Sequence, residues 1–440
     1  VRDVTGIDAA PRRAYRALHA RHLDSLLRDR AGFAEPERRL ARAIAAVFPF
    51  RTNDYVVDEL IDWSAVPDDP IYRLTFPQPG MLSAADAARV QRLLDGGAPA
   101  DRVQSAVRQI RGRLNPHPAG QQDENEPELD GRRLPGLQHK YAETLLVFPR
   151  PGQTCHAYCT YCFRWPQFVG DQELKMATDD VGGMCGYLAA HPEVTNVLIT
   201  GGDALIMTAA VLRRYLEPLL SLATIESVRL GTKALSYWPY RVLTDPDADE
   251  LLALLARVVA SGRQLAVMAH FSHPRELQTE AVRQALARLA GTGAVIRAQA
   301  PLIRGVNDDP AIWAGMWREL TRLSVVPYYM FVERDTGPQG YFAVPLARAY
   351  EIYRDAYSRV SGLARTVRGP VMSATPGKVC VDGVAELAGE RVFVLRMLQA
   401  RDPALVGRPF FAGFDPAAIW LTDLKPAFGQ ADLLPRAVPG

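Results

Sequence analysis

From Thr144 onward the chain alternates short β-branched runs with amphipathic helical patterns, and no other feature of its 440 residues constrains the fold as strongly. Strands are expected at residues 144–148, 194–200, 227–231, 264–270, 294–302 and 325–331. Helices are expected at 209–222, 247–260, 279–289, 310–323 and 345–357. Helices placed between strands impose parallel pairing with right-handed crossovers. About six such units, rather than eight, predict an α/β fold built as a partial TIM barrel, with functional residues at the C-terminal ends of its strands.

The flanks read differently. Residues 1–114 form a mostly helical N-terminal region that opens on a charged helix over residues 1–30, with breaks at Phe48-Pro49-Phe50 and Pro67-Asp68-Asp69-Pro70 and a further helix starting near Ser83. Residues 115–137 are Pro-rich and acidic without apolar periodicity, the pattern of a solvated linker. The barrel is expected over 138–378. Residues 379–440 make a small C-terminal extension that starts strand-like (VCVDGVAEL, RVFVLRML) and ends in a Pro-rich tail.

Charge narrows the function. With 51 basic against 49 acidic side chains, the chain lacks the broad basic surface of a nucleic-acid binder, so a small-molecule substrate is expected. No apolar run long enough to span a bilayer and no signal-type h-region occur, so no membrane partner and a cytoplasmic location are expected. Five cysteines are too few and too uneven for a disulfide framework, and three of them cluster within one short segment, which favours metal binding.

That segment, GQTCHAYCTYCFRW, carries Cys155, Cys159 and Cys162 as C-x3-C-x2-C directly after the first expected barrel strand. Three thiolates on one loop can bind three corners of a [4Fe–4S] cubane, and the fourth iron is then free to chelate the amino and carboxylate groups of a methionine-type sulfonium. Spacing alone leaves a Cys3His zinc site with His156 open, and with it a zinc-stabilised binding protein without catalysis. Cys185 and Cys380 read as ordinary buried thiols. Gly201-Gly202-Asp203 ends the second strand, where small residues let backbone approach a ligand closely.

Further segments point to a family: HKY at 139–141, CFR at 162–164, ITGGDALI at 199–206, RLGTKA at 229–234, AHFSHP at 269–274, QAPLIRGVND at 299–308, PYY at 327–329 and PVM at 370–372. In content and order they resemble the lysine 2,3-aminomutase family of radical S-adenosylmethionine (SAM) enzymes. The resemblance covers roughly half the chain. It implies a [4Fe–4S] cluster on Cys155, Cys159 and Cys162, and SAM bound at Gly201, Gly202 and Asp203, with Tyr161 against the adenine. His270 and Gln299 would contact SAM or the cofactor beside it. Arg164 would grip the substrate carboxylate as the catalytic-site anchor, and Lys140 and Tyr141 would lie near a pyridoxal phosphate (PLP). A reducing partner such as a flavodoxin or ferredoxin is expected, and the N-terminal helices offer an interface for a homo-oligomer.

The chain departs from the family's pattern at the substrate. Aligning PVM places Arg368 on the lysine that carries PLP, and a guanidinium cannot form an imine near neutral pH. Thr144 stands in place of an arginine that grips the PLP phosphate. PLP is therefore not expected. The other register gives the imine to Lys378, which is otherwise an exposed loop lysine, and keeps a PLP-dependent 2,3-aminomutase of a non-lysine amino acid open. Arg334 occupies a position where the lysine enzymes present an aspartate to the substrate ammonium, so lysine is expected to be repelled. Arg334 and Arg368 would instead bind a substrate anion. A register slip toward Glu333 or Asp335 would reverse that reading. The expected outcome is hydrogen abstraction from an amino-acid-like substrate other than lysine, followed by isomerisation, elimination, oxidation or bond cleavage.

Overall fold

The computed structural model describes residues 13–116, 124–170 and 175–434. It opens on a ribbon of β1 (Ala17–His19) antiparallel to β2 (Arg51–Asn53). Helical patterning continues through residues 17–19, but pairing with β2 takes precedence, and the helix starts at Ala20 and runs to Ala31. The first part of that expected helix, residues 1–12, lies outside the described residues. Helices Glu35–Val47, Ala84–Asp95 and Ala100–Leu114 follow. Ser83 caps the second of these by accepting a hydrogen bond from the Asp86 amide at 3.1 Å, a contact worth about 1 kcal/mol.

The described end of the acidic stretch is seated on the barrel instead of being solvated. It folds into a minimal hairpin, β3 (Glu128–Leu129) against β4 (Arg132–Arg133). Leu134 is buried and Leu129 packs on the main core, so two leucines in otherwise polar text provide the anchor.

The main sheet has eleven strands, neighbours in chain order: β5 (Leu137–Tyr141), β6 (Thr144–Val147), β7 (Asn196–Ile199), β8 (Ser227–Thr232), β9 (Gln264–His270), β10 (Val295–Leu302), β11 (Val326–Val332), β12 (Arg368–Ser373), β13 (Gly377–Leu387), β14 (Glu390–Ala400) and β15 (Pro409–Gly413). β6 to β12 run parallel, while β5 at one edge and β13 to β15 at the other are antiparallel. All the expected strands form. β12 adds one more parallel strand, hidden in the sequence because Gly369-Pro370 breaks any strand pattern. The two edges are not joined by a ladder, yet side chains bridge them. Gln399 Nε2 donates to Glu143 at 2.8 Å, Lys140 Nζ to the Ala374 carbonyl at 2.6 Å and Arg401 to the Glu124 carbonyl at 3.0 Å.

Strand alternation sorts the two faces. Along β8, Val228 and Leu230 pack outward in the core with Leu212, Leu216, Leu254 and Leu255 from the surrounding helices, each burial contributing about 1.5–3 kcal/mol. Arg229 and Gly231 turn toward the lumen. Among the described residues, no helix is long and apolar enough to cross a membrane.

Candidate active site

The cysteine loop is held from three sides. From the barrel, the Gly152 carbonyl accepts from the Gly202 and Asp203 amides at 3.0 and 3.1 Å. A Cβ on Gly202 would sit 2.3 Å from the Thr154 carbonyl oxygen, so only glycine lets the loop dock there. Asp203 is buried, and its carboxylate accepts from the Leu205 amide, the Thr232 hydroxyl and the Lys233 amide at 2.7–2.8 Å. Gly201-Gly202-Asp203 thus fastens the cysteine loop to the end of β8.

From the N-terminal region come contacts that sequence reasoning did not foresee. The Tyr158 amide donates to the Arg51 carbonyl at 2.8 Å, and the Thr160 amide to the Leu74 carbonyl at 2.9 Å. Arg51 reaches the Thr154 hydroxyl at 2.8 Å. Buried Asn53 donates to the His156 and Tyr237 carbonyls at 3.2 and 3.0 Å, and the Tyr15 hydroxyl also reaches the His156 carbonyl, at 2.7 Å. The only sequence signal was the pair of buried-type aromatics flanking polar residues in a region patterned as helical, which does not specify a partner.

The third side is a buried ion pair, Lys233 Nζ to Glu276 at 2.7 Å. Glu276 also accepts from Ser236 Oγ at 2.7 Å and from the Ser272 and His273 amides. The Tyr161 hydroxyl bonds Ser272 Oγ at 2.9 Å, and its ring packs with the N-terminal core. The Tyr237 hydroxyl lies 4.0 Å from Cys159 Sγ.

Below this frame, His270 at the end of β9 accepts from the Gln299 amide at 3.0 Å. Burial, with Lys233 and Arg164 nearby, pushes its imidazole down to about 3, so it is neutral. Arg164 lies over the rings of Phe148 and Phe163 at 4.5 and 5.1 Å. Among the described residues its guanidinium has no hydrogen bond or ion pair, and burial lowers it to about 10. Arg334 also lies over the Phe163 ring, at 5.1 Å, and over Trp420 at 6.0 Å. Its nearest acid is Asp335 at 3.7 Å, and its Nε has no hydrogen-bond partner. Glu333 beside it is buried, and burial raises its carboxyl well above the usual range while Arg334 draws it down.

Deeper still lie Lys140, Tyr141, Tyr329 and Lys378. Lys378 is not an exposed loop residue. It begins β13 and turns inward, 5.5 Å from the Tyr141 ring and 5.2 Å from the Tyr329 ring, with Nζ bonded to Gln399 Oε1 at 2.6 Å. Burial and the neighbouring Arg229, Lys140 and Arg368 lower its amine to about 7. Burial likewise lowers Lys140 to about 8. Arg368 is exposed at the start of β12, donating to the Tyr329 hydroxyl at 3.1 Å. It is apart from the Arg164 and Arg334 tier. Thr144 is buried at the start of β6. Cys380 is buried as expected, whereas Cys185 is only half-buried.

No protein-family model matches the chain. A protein of Aquifex aeolicus (strain VF5), provisionally named L-lysine 2,3-aminomutase, is 33% identical over 389 residues, covering 88% of this chain and 91% of that one. This chain belongs to the lysine 2,3-aminomutase family. L-lysine 2,3-aminomutase of Fusobacterium nucleatum is 27% identical, covering 55% of this chain and 53% of that one. Glutamate 2,3-aminomutase of Clostridioides difficile is also 27% identical, covering 52% and 51%. Among solved structures, a radical SAM methyltransferase from Sphaerobacter thermophilus has a TM-score of 0.38 at 17% identity, covering 67% of this chain and 94% of that one, a likeness too low to carry weight.

As a member of the lysine 2,3-aminomutase family the chain is a radical SAM enzyme, and the family implies a [4Fe–4S] cluster and SAM. The cysteine loop fits the cluster better than zinc. Tetrahedral zinc, with Zn–S near 2.3 Å, holds its ligand atoms about 3.8 Å apart. The three sulfurs and His156 do not gather within 4.8 Å of one another, wider than that tetrahedral spacing. His156 is buried edge-on to Tyr15 with its imidazole pushed down to about 3.

Proposed function

We propose that this family member generates the 5′-deoxyadenosyl radical and uses it to abstract hydrogen from an amino-acid-like substrate that carries a carboxylate on its side chain, and that lysine is not its substrate. The observation that carries this reading is the pair of half-buried guanidiniums, Arg164 and Arg334, each 5.1 Å from Phe163; among the described residues Arg164 has no acid beside it and Arg334 has only Asp335 at 3.7 Å. Two neighbouring cations with one distant carboxylate between them favour an anionic ligand. A lysine ammonium would meet like charge. The relative named for glutamate supports the same direction.

In this reading Cys155, Cys159 and Cys162 hold the cluster, while Gly201, Gly202, Asp203, Tyr161, His270 and Gln299 shape the SAM side of the lumen. Bound there, the cluster and SAM supply methionine and a 5′-deoxyadenosyl radical after one-electron reduction, with the electron drawn in the cytoplasm from a flavodoxin or ferredoxin. Arg164, as a planar fork, grips the α-carboxylate. Arg334 receives the distal carboxylate. The buried rings of Phe148 and Trp420 keep water from the radical. The reaction runs without PLP, since Arg368 offers no imine-forming amine and Thr144 no phosphate-binding charge.

One observation favours a second reading, in which PLP is held on Lys378 and the enzyme moves an amino group between C2 and C3. Lys378 is an inward amine lowered to about 7, and such a partly neutral amine is the form that adds to an aldehyde. Two measurements decide. Anaerobic, dithionite-reduced enzyme should form 5′-deoxyadenosine with glutamate or aspartate at least tenfold faster than with lysine, and a preference for lysine sinks the main proposal. Enzyme incubated with PLP should show no imine absorbance near roughly 410–430 nm; a band that borohydride fixes onto the Lys378 peptide establishes the second reading.

A further inference from the structure

On the outer side of the barrel, away from the lumen tiers, His139, His191 and Glu193 bring three ligand-type atoms within 4.8 Å of one another, the only such trio among the described residues. We propose that these three side chains bind one divalent first-row transition metal, zinc in the first instance, and that the ion clips edge strand β5 to the helix Val181–Ala190.

The parts are already oriented. His139 comes from β5, and its Nε2 meets the Ala142 carbonyl at 3.0 Å, which fixes the proton on that nitrogen and leaves Nδ1 as the ligand. A backbone carbonyl on the remote nitrogen is the usual orienting partner of a metal-bound imidazole. The His139 Nδ1 now accepts a hydrogen bond from the Tyr187 hydroxyl at 2.6 Å, which the metal would displace. His191 is the C-cap of that helix and stacks on Tyr187 at 4.0 Å. Its Nδ1 meets Glu193 Oε1 at 2.8 Å, and both side chains are partly exposed, so small rotamer changes suffice to bring the ligands to coordination distance. The negative end of the helix dipole at His191 favours a cation. Two imidazoles and one carboxylate suit zinc and its neighbours rather than magnesium or calcium.

A clip here has a mechanical consequence. β5 is an edge strand, paired on one side only, to β6, and the next residues after His139 are Lys140 and Tyr141, which face the lumen's deepest tier. Fixing His139 fixes their register. None of the residues of the radical site takes part, so the proposal stands or falls apart from the substrate assignment.

The test uses cluster-loaded enzyme, so that the cysteines are occupied, incubated anaerobically with zinc chloride and passed through gel filtration. About one zinc per chain should be retained, and the thermal midpoint should rise by a few degrees. His191→Ala, at a half-buried position, and Glu193→Gln, at an exposed one, should lose the retained zinc and the thermal shift while keeping full iron content. No retained zinc in the unsubstituted chain, or equal retention in His191→Ala, overturns the proposal.

Discussion

The buried cysteine frame and the half-buried arginine tier beneath it are both charged, but their charges are paired to opposite degrees. In the frame every charge has a partner: Lys233 with Glu276 at 2.7 Å, and Asp203 with three donors at 2.7–2.8 Å. In the tier below, Arg164 has none among the described residues, and Arg334 has only Asp335 at 3.7 Å. Groups that hold a loop in place are worth most when fully bonded, because an unmet buried polar atom costs about 1–3 kcal/mol. Groups that await a ligand must stay unmet. The difference separates scaffold from binding site without reference to any relative, and it can be broken by substitution.

The largest effect is expected from Cys159→Ala, which should abolish iron retention and lower 5′-deoxyadenosine formation by at least about a thousandfold, measured by iron analysis and chromatography. Glu276→Gln leaves Lys233 buried without its counter-charge and should cost about 3–5 kcal/mol in chemical denaturation. Asn53→Ala removes the donor to the His156 carbonyl of the cysteine loop and to the Tyr237 carbonyl beyond β8 and should cost about 2 kcal/mol with reduced cluster loading; unchanged stability and iron content would mean that the N-terminal region does not hold the loop. Arg164→Gln should do the reverse of these, raising KM roughly a hundredfold with a little-changed thermal midpoint, since the half-buried guanidinium has no ion pair to lose among the described residues. A frame-like loss of stability in that variant would collapse the comparison.

The smallest effect concerns Lys378. Its folded amine titrates near 7 against about 10.4 when unfolded, so between those values the unfolded chain binds more protons and stability rises with pH. Relative to Lys378→Met, the wild-type chain should gain up to about 2 kcal/mol from pH 7 to pH 9, read as a pH-dependent shift in denaturation midpoint that the variant lacks.

How much was legible beforehand follows the same division. Each parallel strand from β6 to β11 announces itself by a β-branched run between helical patterns, because both faces of such a strand are covered locally. The cysteine triad and Gly201-Gly202-Asp203 were legible because their chemistry needs fixed residue types at fixed spacing. β12 was not, since its Gly-Pro start hides the pattern. Nor was the hold of Arg51 and Asn53 on the cysteine loop, about a hundred residues away in sequence, because a hydrogen bond to a carbonyl asks nothing of the partner's side chain. Lys378 looked like loop text beside Pro376-Gly377. Only the closing of β13 and β14 toward β5 turns it inward.

The sequence by itself determined the barrel order and the family's radical chemistry and singled out the cysteine triad proposed to hold the cluster, since periodicity and ligand spacing are local properties that survive without the fold. Only the tertiary structure decided which charges are paired. That depends on which distant segments share the lumen and on how much water is excluded there, and it leaves Arg164 without a counter-ion among the described residues, Arg334 with Asp335 at 3.7 Å, Arg368 at the surface and Lys378 within.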